Sequence, residues 1–383
     1  MQLSFSKRSA LWLAVLVTAL AAVVGASVGS AAPAKNVPIP PDPLKPVLAQ
    51  VAGLKIKPGG FPGNPRDTKL HQLALAEGGQ VNVYSSLSSF ITKPLTDLWK
   101  ATFPDITLNF YRASSEDVSA RFLAESGAGT KGADIVESNG STMLIFQHDK
   151  NLLVPYRGSP YAQQIPKQYR FDTFTSARLE EFVVAWNKNL VPNPPTSFQD
   201  LADPKWKGKL ALEPTDTDWF ATLENYFMTD AKPKMTQAQA DDMFKKIAAN
   251  SQLIPGHSAE ASALAAGQVS IIVSGHGQSI EQLQAKNAPI TFGPPFVTPV
   301  VERPQGMGIS YLAPHPAAAM LFYDFLLSPV GQKMLQQNGV VPANPYFPDN
   351  SFSSHPFTVK MDIRPIVSNW VAWNKHYNAV IQP

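Results

Sequence analysis

No cysteine occurs anywhere in the 383 residues. Disulfides, thiolate nucleophiles and a lipid-modified cysteine are therefore all excluded. Charge is scarce as well: 16% of the residues are charged, and the formal net charge is only +3. Two of the basic residues, Lys7 and Arg8, lie in an N-terminal segment without acids, so the remainder is close to neutral. Such a balance points away from a nucleic-acid partner. Long apolar runs are missing too. The one at the N-terminus, Leu11 to Val24, falls short of the ~20 residues that span a bilayer. The histidines are scattered without metal-ligand spacing, so no metal and no cofactor is expected. Beyond a proline-rich stretch near the start there is no low-complexity tract and no internal repeat.

What is present begins with a targeting pattern. Lys7-Arg8, the apolar run and the small-x-small site Ala32-Pro33-Ala34 read as a secretory signal peptide over residues 1–34. The mature chain is then expected in the periplasm, without a lipid anchor. A Gly-x-Ser-x-Gly match at residues 25–29 lies inside this segment and is discarded as a nucleophile elbow. Residues 35–69 carry many prolines and glycines and predict an extended or poorly ordered arm.

From Leu70 onward, helical and strand patterns alternate. Val81-Asn82-Val83-Tyr84 reads as a strand that runs straight into Ser85, Ser86 and Ser88, then into a helix with Ile91, Leu95 and Trp99. Pro94 is expected near the first turn of that helix. The same strand–polar loop–helix unit recurs three times. Ala133 to Glu137 leads into Ser138-Asn139-Gly140-Ser141. Leu210 to Leu212 leads into Glu213 to Trp219. Val269 to Val273 leads into a loop over Ser274 to Ser279. Phe182 to Trp186 is a continuous apolar strand of the kind buried parallel sheets use. Thr236 to Gln239 is a capping box, and Pro316 suits the first position of a helix. The class is α/β with largely parallel sheets.

Helix N-termini at strand ends offer free N–H groups and partial positive charge to an oxygen-rich ligand. Ser85, Ser86, Asn139 and Thr215 fit such a ligand. Of Asp216 and Asp218, one is expected as a helix cap or first-turn acid, and the other as a partner for a ligand amine or metal-bound group. Trp219 either stacks on a planar ligand or packs in the core. His276 is either a ligand contact or an exposed loop histidine. Arg112 and Arg303 are candidate carboxylate or phosphate clamps.

Ala76-Glu77-Gly78-Gly79, Ala133-Asp134-Ile135, Asp203-Pro204-Lys205-Trp206-Lys207-Gly208-Lys209 and Phe325-Leu326-Leu327-Ser328-Pro329-Val330-Gly331-Gln332 together carry a family resemblance. The chain resembles a periplasmic solute-binding protein of an ABC importer, in the ferric-ion-binding and thiamine-binding branch. The resemblance implies a type 2 periplasmic binding protein fold: two lobes, each a doubly wound sheet, joined by a two-strand hinge. By this likeness residues 70–180 and 306–341 form lobe 1, and 181–305 and 342–383 form lobe 2. A monomer is implied, with a small-molecule solute and ABC permease subunits as partners. The ferric binders' tyrosine pair falls at Gly277-Gln278, their glutamate at Asn139 and their histidine near Ser88, so the ferric ligand set is absent. The implied ligand-binding residues are Ser85, Ser86, Ser88, Asn139, Thr215, Asp216, Trp219, His276, Gly277 and Gln278.

Three readings stay open from the sequence. The first is a transport receptor for a small polar solute, anionic or oxygen-rich. A receptor for a ferric complex, held without the tyrosine pair, is a variant of it. The second is a ligand-sensing module for a membrane receptor kinase. The third, an enzyme, is disfavoured, because no nucleophile–base pair or opposed acid pair emerges.

Overall fold

The computed structural model describes residues 40–57, 60–148, 152–347 and 357–382. The signal-peptide expectation for residues 1–34 lies outside them.

The described part of the expected arm, residues 40–57 and 60–69, is instead packed into the core. Residues 45–51 form α1 (Lys45–Val51), and Leu44, Val47 and Val51 are buried. Phe61 packs edge-on against Phe103 and Tyr161. The next helix, α2 (Pro65–Ala76), begins inside the stretch expected as the arm. Its Arg66 is buried in an ion pair with Asp324 and hydrogen-bonds Tyr156. Pro46 and Pro65 both fall in a first helical turn, where the missing N–H has no partner to lose. Proline content is thus compatible with helix here, and the apolar residues between the prolines decide the structure.

Gly78 and Gly79 close α2 with positive φ of 108° and 62°. A side chain at position 79 would also meet the Asp105 carbonyl oxygen at 3.0 Å. The chain then alternates as expected through β1 (Gln80–Ser85), α3 (Ser89–Thr102), β2 (Thr107–Arg112), α4 (Ser115–Gly127), β3 (Ile135–Asn139) and α5 (Gly140–His148). Pro94 lies in the second turn of α3, deeper than predicted, yet Ile91, Leu95 and Trp99 still form one buried face. After β4 (Leu153–Val154) comes β5 (Phe174–Asn187), buried along its whole length.

Next come α6 (Phe198–Leu201), β6 (Leu210–Leu212), α7 (Thr217–Thr229), α8 (Gln237–Asn250), β7 (Ser251–Leu253), α9 (His257–Ala265), β8 (Ile271–His276), α10 (Gly277–Gln284) and β9 (Ile290–Thr291). The capping box on Thr236 and Gln239 is present. The long strand β10 (Val300–Ser310) precedes α11 (Pro316–Leu327) and α12 (Pro329–Gln337). The described chain closes with β11 (Val341–Pro342), β12 (Thr358–Lys360), α13 (Ile363–Ser368) and α14 (Trp370–Ile381).

The strands join in the order β2-β1-β3-β10-β5-β8-β6-β7. At one end β2, β1 and β3 are parallel, and at the other β8, β6 and β7 are parallel. Between them β5 and β10 pair with each other and with both flanks in antiparallel fashion. The α/β class holds, but the sheet is mixed. The Phe182–Trp186 run, apolar on both faces, suggests a parallel strand but pairs antiparallel with β10 and β8. Burial on both faces explains that composition equally well when the neighbours are antiparallel.

Helix α11 is buried all round from Ala317 to Leu327. It meets Trp99 of α3 through Phe322 and Phe325, with ring centroids at 5.4 and 5.2 Å. Fully burying each such ring stabilises by roughly 1.5–3 kcal/mol. A second cluster gathers Phe182, Phe198, Trp219, Phe220 and Phe244. These two packed regions hold the strand ends where the charged residues meet.

Candidate functional site

The parallel strands from both ends of the sheet stop against the middle of β5 and β10. Asn139, which ends β3, lies opposite Gln305 of β10, and Gln305 lies opposite Arg178 of β5. His276, which ends β8, lies opposite Phe182, four residues further along β5. Alternation along β5 puts Arg178, Glu180 and Phe182 on one face. A row of buried charge follows that face from one set of strand ends to the other.

At the first end every charge has a partner. Glu137 accepts from the Ser85 hydroxyl at 2.7 Å and from the Ser86 N–H at 3.1 Å. Arg178 lies 3.0 Å from Glu137 and 2.7 Å from Glu180. Ser85 and Ser86 are thus held by a carboxylate, not poised freely at a helix N-terminus. Asn139 accepts from the Thr142 N–H at 2.8 Å and so caps α5. Ser88 stands at the N-cap of α3 without a side-chain cap bond, and its hydroxyl reaches Gln282 of α10 at 3.5 Å. Arg112 donates to the Leu87 carbonyl, a local tie.

In the middle, Arg303 of β10 lies over the Phe182 ring and 3.3 Å from Asp218. Asp218 also accepts from the Ser141 hydroxyl of α5 at 2.7 Å. Asp218 is therefore the structural acid of the pair. Trp219 is 1% exposed and surrounded by Phe182, Phe198 and Phe244, so its role is core packing. Helical geometry on α7 turns it inward, and a stacking role for it is withdrawn.

The second end is different. Asp216 occupies the N-cap of α7 but makes no cap bond. Its Oδ1 lies 3.2 Å from His257 Nε2, at the start of α9, while Oδ2 is buried without a hydrogen-bond partner among the described residues. Glu260, one turn along α9, approaches His257 Nδ1 at 3.3 Å. Glu213 takes the N–H and hydroxyl of the exposed Thr215. Glu213, Asp216 and His257 place ligating atoms within 4.8 Å of one another. His276 stacks on His257 with ring centroids 3.6 Å apart. The loop predicted over Ser274 to Ser279 does not exist: His276 ends β8, and Gly277 and Gln278 open α10, both buried.

This crowding sets the protonation states. Burial alone pushes His257 down, but the facing Asp216, helped by Glu260, outweighs it and holds the imidazole well above its ordinary range. Burial pushes His276 far below its ordinary range, reinforced by charge on His257, Arg303 and Arg178. One ring of the stack is thus an imidazolium and the other is neutral. Burial pushes Glu260 up to about 7, with Asp216 and Glu213 adding to the rise and His257 opposing it. Burial, then Asp216, raises Glu213. Three carboxylates share one imidazolium here, and the Nε2 atoms of His276 and Gln278 are buried without partners among the described residues.

The sequence profile of the bacterial extracellular solute-binding protein family matches residues 84–333. The chain belongs to this family. Iron uptake protein A1 of Synechocystis sp. (strain ATCC 27184 / PCC 6803 / Kazusa) is 22% identical over 278 residues, 68% of this chain and 75% of that protein. A substrate-binding protein of an ABC transporter from Agrobacterium tumefaciens superposes with a TM-score of 0.68 at 16% identity, covering 81% of this chain and 97% of that one. The periplasmic binding protein AfuA from Actinobacillus pleuropneumoniae, solved with fructose-6-phosphate bound, gives a TM-score of 0.65 at 19% identity, covering 79% and 99%. The fold is the type 2 periplasmic binding protein fold. Members of this family are bacterial extracellular solute-binding proteins. Among the described residues no helix is long and apolar enough to cross a membrane.

Within this family member, the row of charge runs from Asp216 through His257, His276, Glu180 and Arg178 to Glu137, Ser85 and Ser86. No side-chain hydrogen bond or ion pair joins Asn139, Gly277 or Gln278 to it among the described residues. Sequence reasoning passed over Glu137, Arg178, Glu180, Glu213, His257 and Glu260. A signal for two of them was visible: Arg178 and Glu180 alternate just before an apolar strand, where a solvated charge is out of place. His257 and Glu260, spaced i and i+3 after Gly256, read as an ordinary helix start.

Proposed function

We propose that this protein is the extracytoplasmic receptor of an ABC importer. It takes a small, oxygen-rich polar solute between residues 70–180 with 306–341 and residues 181–305 with 342–383, and hands it to the permease subunits. One observation carries the reading: buried polar groups from both ends of the sheet converge on β5 and β10, and at the Asp216–His257 end Asp216 Oδ2, His276 Nε2 and Gln278 Nε2 have no hydrogen-bond partner among the described residues. Buried polar atoms without partners cost free energy in the protein alone and regain it when a ligand supplies the bonds. The excess of carboxylates there favours a cationic or metal-bearing group on the solute over a simple anion.

Closure follows from the same arrangement. Ser141 with Asp218, and Ser88 with Gln282, tie one proposed lobe to the other. A solute that touches both lobes binds the closed state better and shifts the population toward it. The test uses solute released from the exported protein by denaturation and identified by mass spectrometry. Added back at saturation, it is expected to shrink the radius of gyration in solution scattering. An unchanged radius, from a solute-free form that is open, would contradict the reading.

A second reading, a ferric complex, is favoured by the Glu213–Asp216–His257 group. The chelator would supply the remaining oxygens. Burial, then its hydrogen bond to Glu125, pushes the Tyr84 phenol up to about 12, which disfavours it as a phenolate ligand.

A further inference from the structure

A second group of metal-ligating side chains lies outside the charged row. Glu224 of α7, Asp241 of α8 and His376 of α14 bring ligating atoms within 4.8 Å of one another. His376 Nε2 lies 3.0 Å from Glu224 Oε1 and 3.3 Å from Asp241 Oδ1. Ligand atoms held ~2.1 Å from a tetrahedral ion stand about 3.4 Å apart, so these spacings are close to those of a loaded site. Glu224 is fully buried, and its second oxygen, Oε2, has no hydrogen-bond partner among the described residues. A buried carboxylate with one oxygen unanswered, facing an imidazole and a second carboxylate, is an unusual resting arrangement for a helix junction. The side chains of His376 and Asp241 are 30% and 22% exposed, which leaves an entry path. Gln237 closes the group, its amide nitrogen 2.8 Å from Asp241 and 3.2 Å from His376 Nε2.

We infer that Glu224, Asp241 and His376 form a site for a borderline divalent transition ion of the zinc type. One nitrogen and two carboxylates suit that class and do not suit magnesium, which prefers an all-oxygen octahedron. The ion staples α14 to α7 and α8. That junction also bears on the solute end: Tyr377, next to His376, donates to the Glu213 carbonyl at 2.7 Å, and Gln382 donates to the Pro214 carbonyl. The ion is a structural clamp behind the loop that carries Asp216, and it is not the transported cargo.

The test is calorimetric titration of the metal-free protein with Zn²⁺ alone, with Mg²⁺ as the comparison. Saturable Zn²⁺ binding is expected, with a rise in melting temperature and no response to Mg²⁺. His376→Ala and Asp241→Asn, both at part-exposed positions, are each expected to weaken it at least tenfold while the apo protein still melts cooperatively. Asp216→Asn, in the other histidine–carboxylate group, is expected to leave it in place. The inference fails if Zn²⁺ does not bind saturably. It also fails if Asp216→Asn abolishes binding that His376→Ala and Asp241→Asn leave intact.

Discussion

The Arg178 end and the His257 end of the same buried row are built on opposite terms. At the Arg178 end, one guanidinium sits between Glu137 and Glu180, and Glu137 in turn holds Ser85 and Ser86. At the His257 end, Asp216, Glu213 and Glu260 share one imidazolium, and polar atoms are left over. The charges of the first arrangement are paired without a solute and fix strand ends in place, although the Ser138 and Ser176 hydroxyls beside them have no partner among the described residues. The second is incomplete, and the missing component is positive or hydrogen-bonding. A buried charge is thus evidence for binding only when its partners have been counted.

The sharpest way to break the contrast is Arg178→Met. It strands two buried carboxylates, and breaking a buried pair by removing one partner costs about 3–5 kcal/mol. Urea denaturation is expected to show a loss of that size. A loss under about 1 kcal/mol would mean that the first end is not a closed network.

Glu260→Gln tests the other end and should have the opposite sign. The folded-state pKa of Glu260, about 7, stands above its ordinary 4.5. Between those values the native protein holds a proton that the unfolded chain has released, so stability falls as pH rises through that window. His257 acts in the same direction further up: its raised pKa gives stability that is full below about 6.5 and is lost as pH climbs through the folded value. Removing the Glu260 charge should flatten the profile between pH 4.5 and 7 and add about 3 kcal/mol at pH 8. Parallel profiles for the two proteins would remove the crowded-acid account.

Ser141→Ala carries the smallest effect. It removes the bond between Ser141 and Asp218 that ties the two ends together. The closed form should lose about 0.5–1.5 kcal/mol, seen as a several-fold weaker affinity for the recovered solute at unchanged charge. Unaltered affinity would show that this bond takes no part in closure.

The sequence was most legible where one element decides a residue's surroundings. The strand at Leu210–Leu212, the capping box on Thr236 and the proline start of α11 all follow from local pattern, and all are present. It was least legible where distant elements meet. His257 faces Asp216 across two helix starts, and Arg66 of the supposed arm is locked to Asp324 of α11. Neither pairing leaves a periodic trace. Trp219 shows the same gap from the other side: the sequence leaves ligand stacking and core packing both open, and only the turn of α7 decides for the core.

The central claim is that the unfinished His257 end holds the solute, and Asp216→Asn tests it most directly. Asparagine keeps the size and the capping capacity of aspartate and removes the charge. Native mass spectrometry of the exported wild-type protein and the variant, prepared side by side, reads the outcome. The account predicts that wild type carries a bound solute and that the variant's affinity for it falls about tenfold or more. Equal occupancy in the two proteins would contradict it.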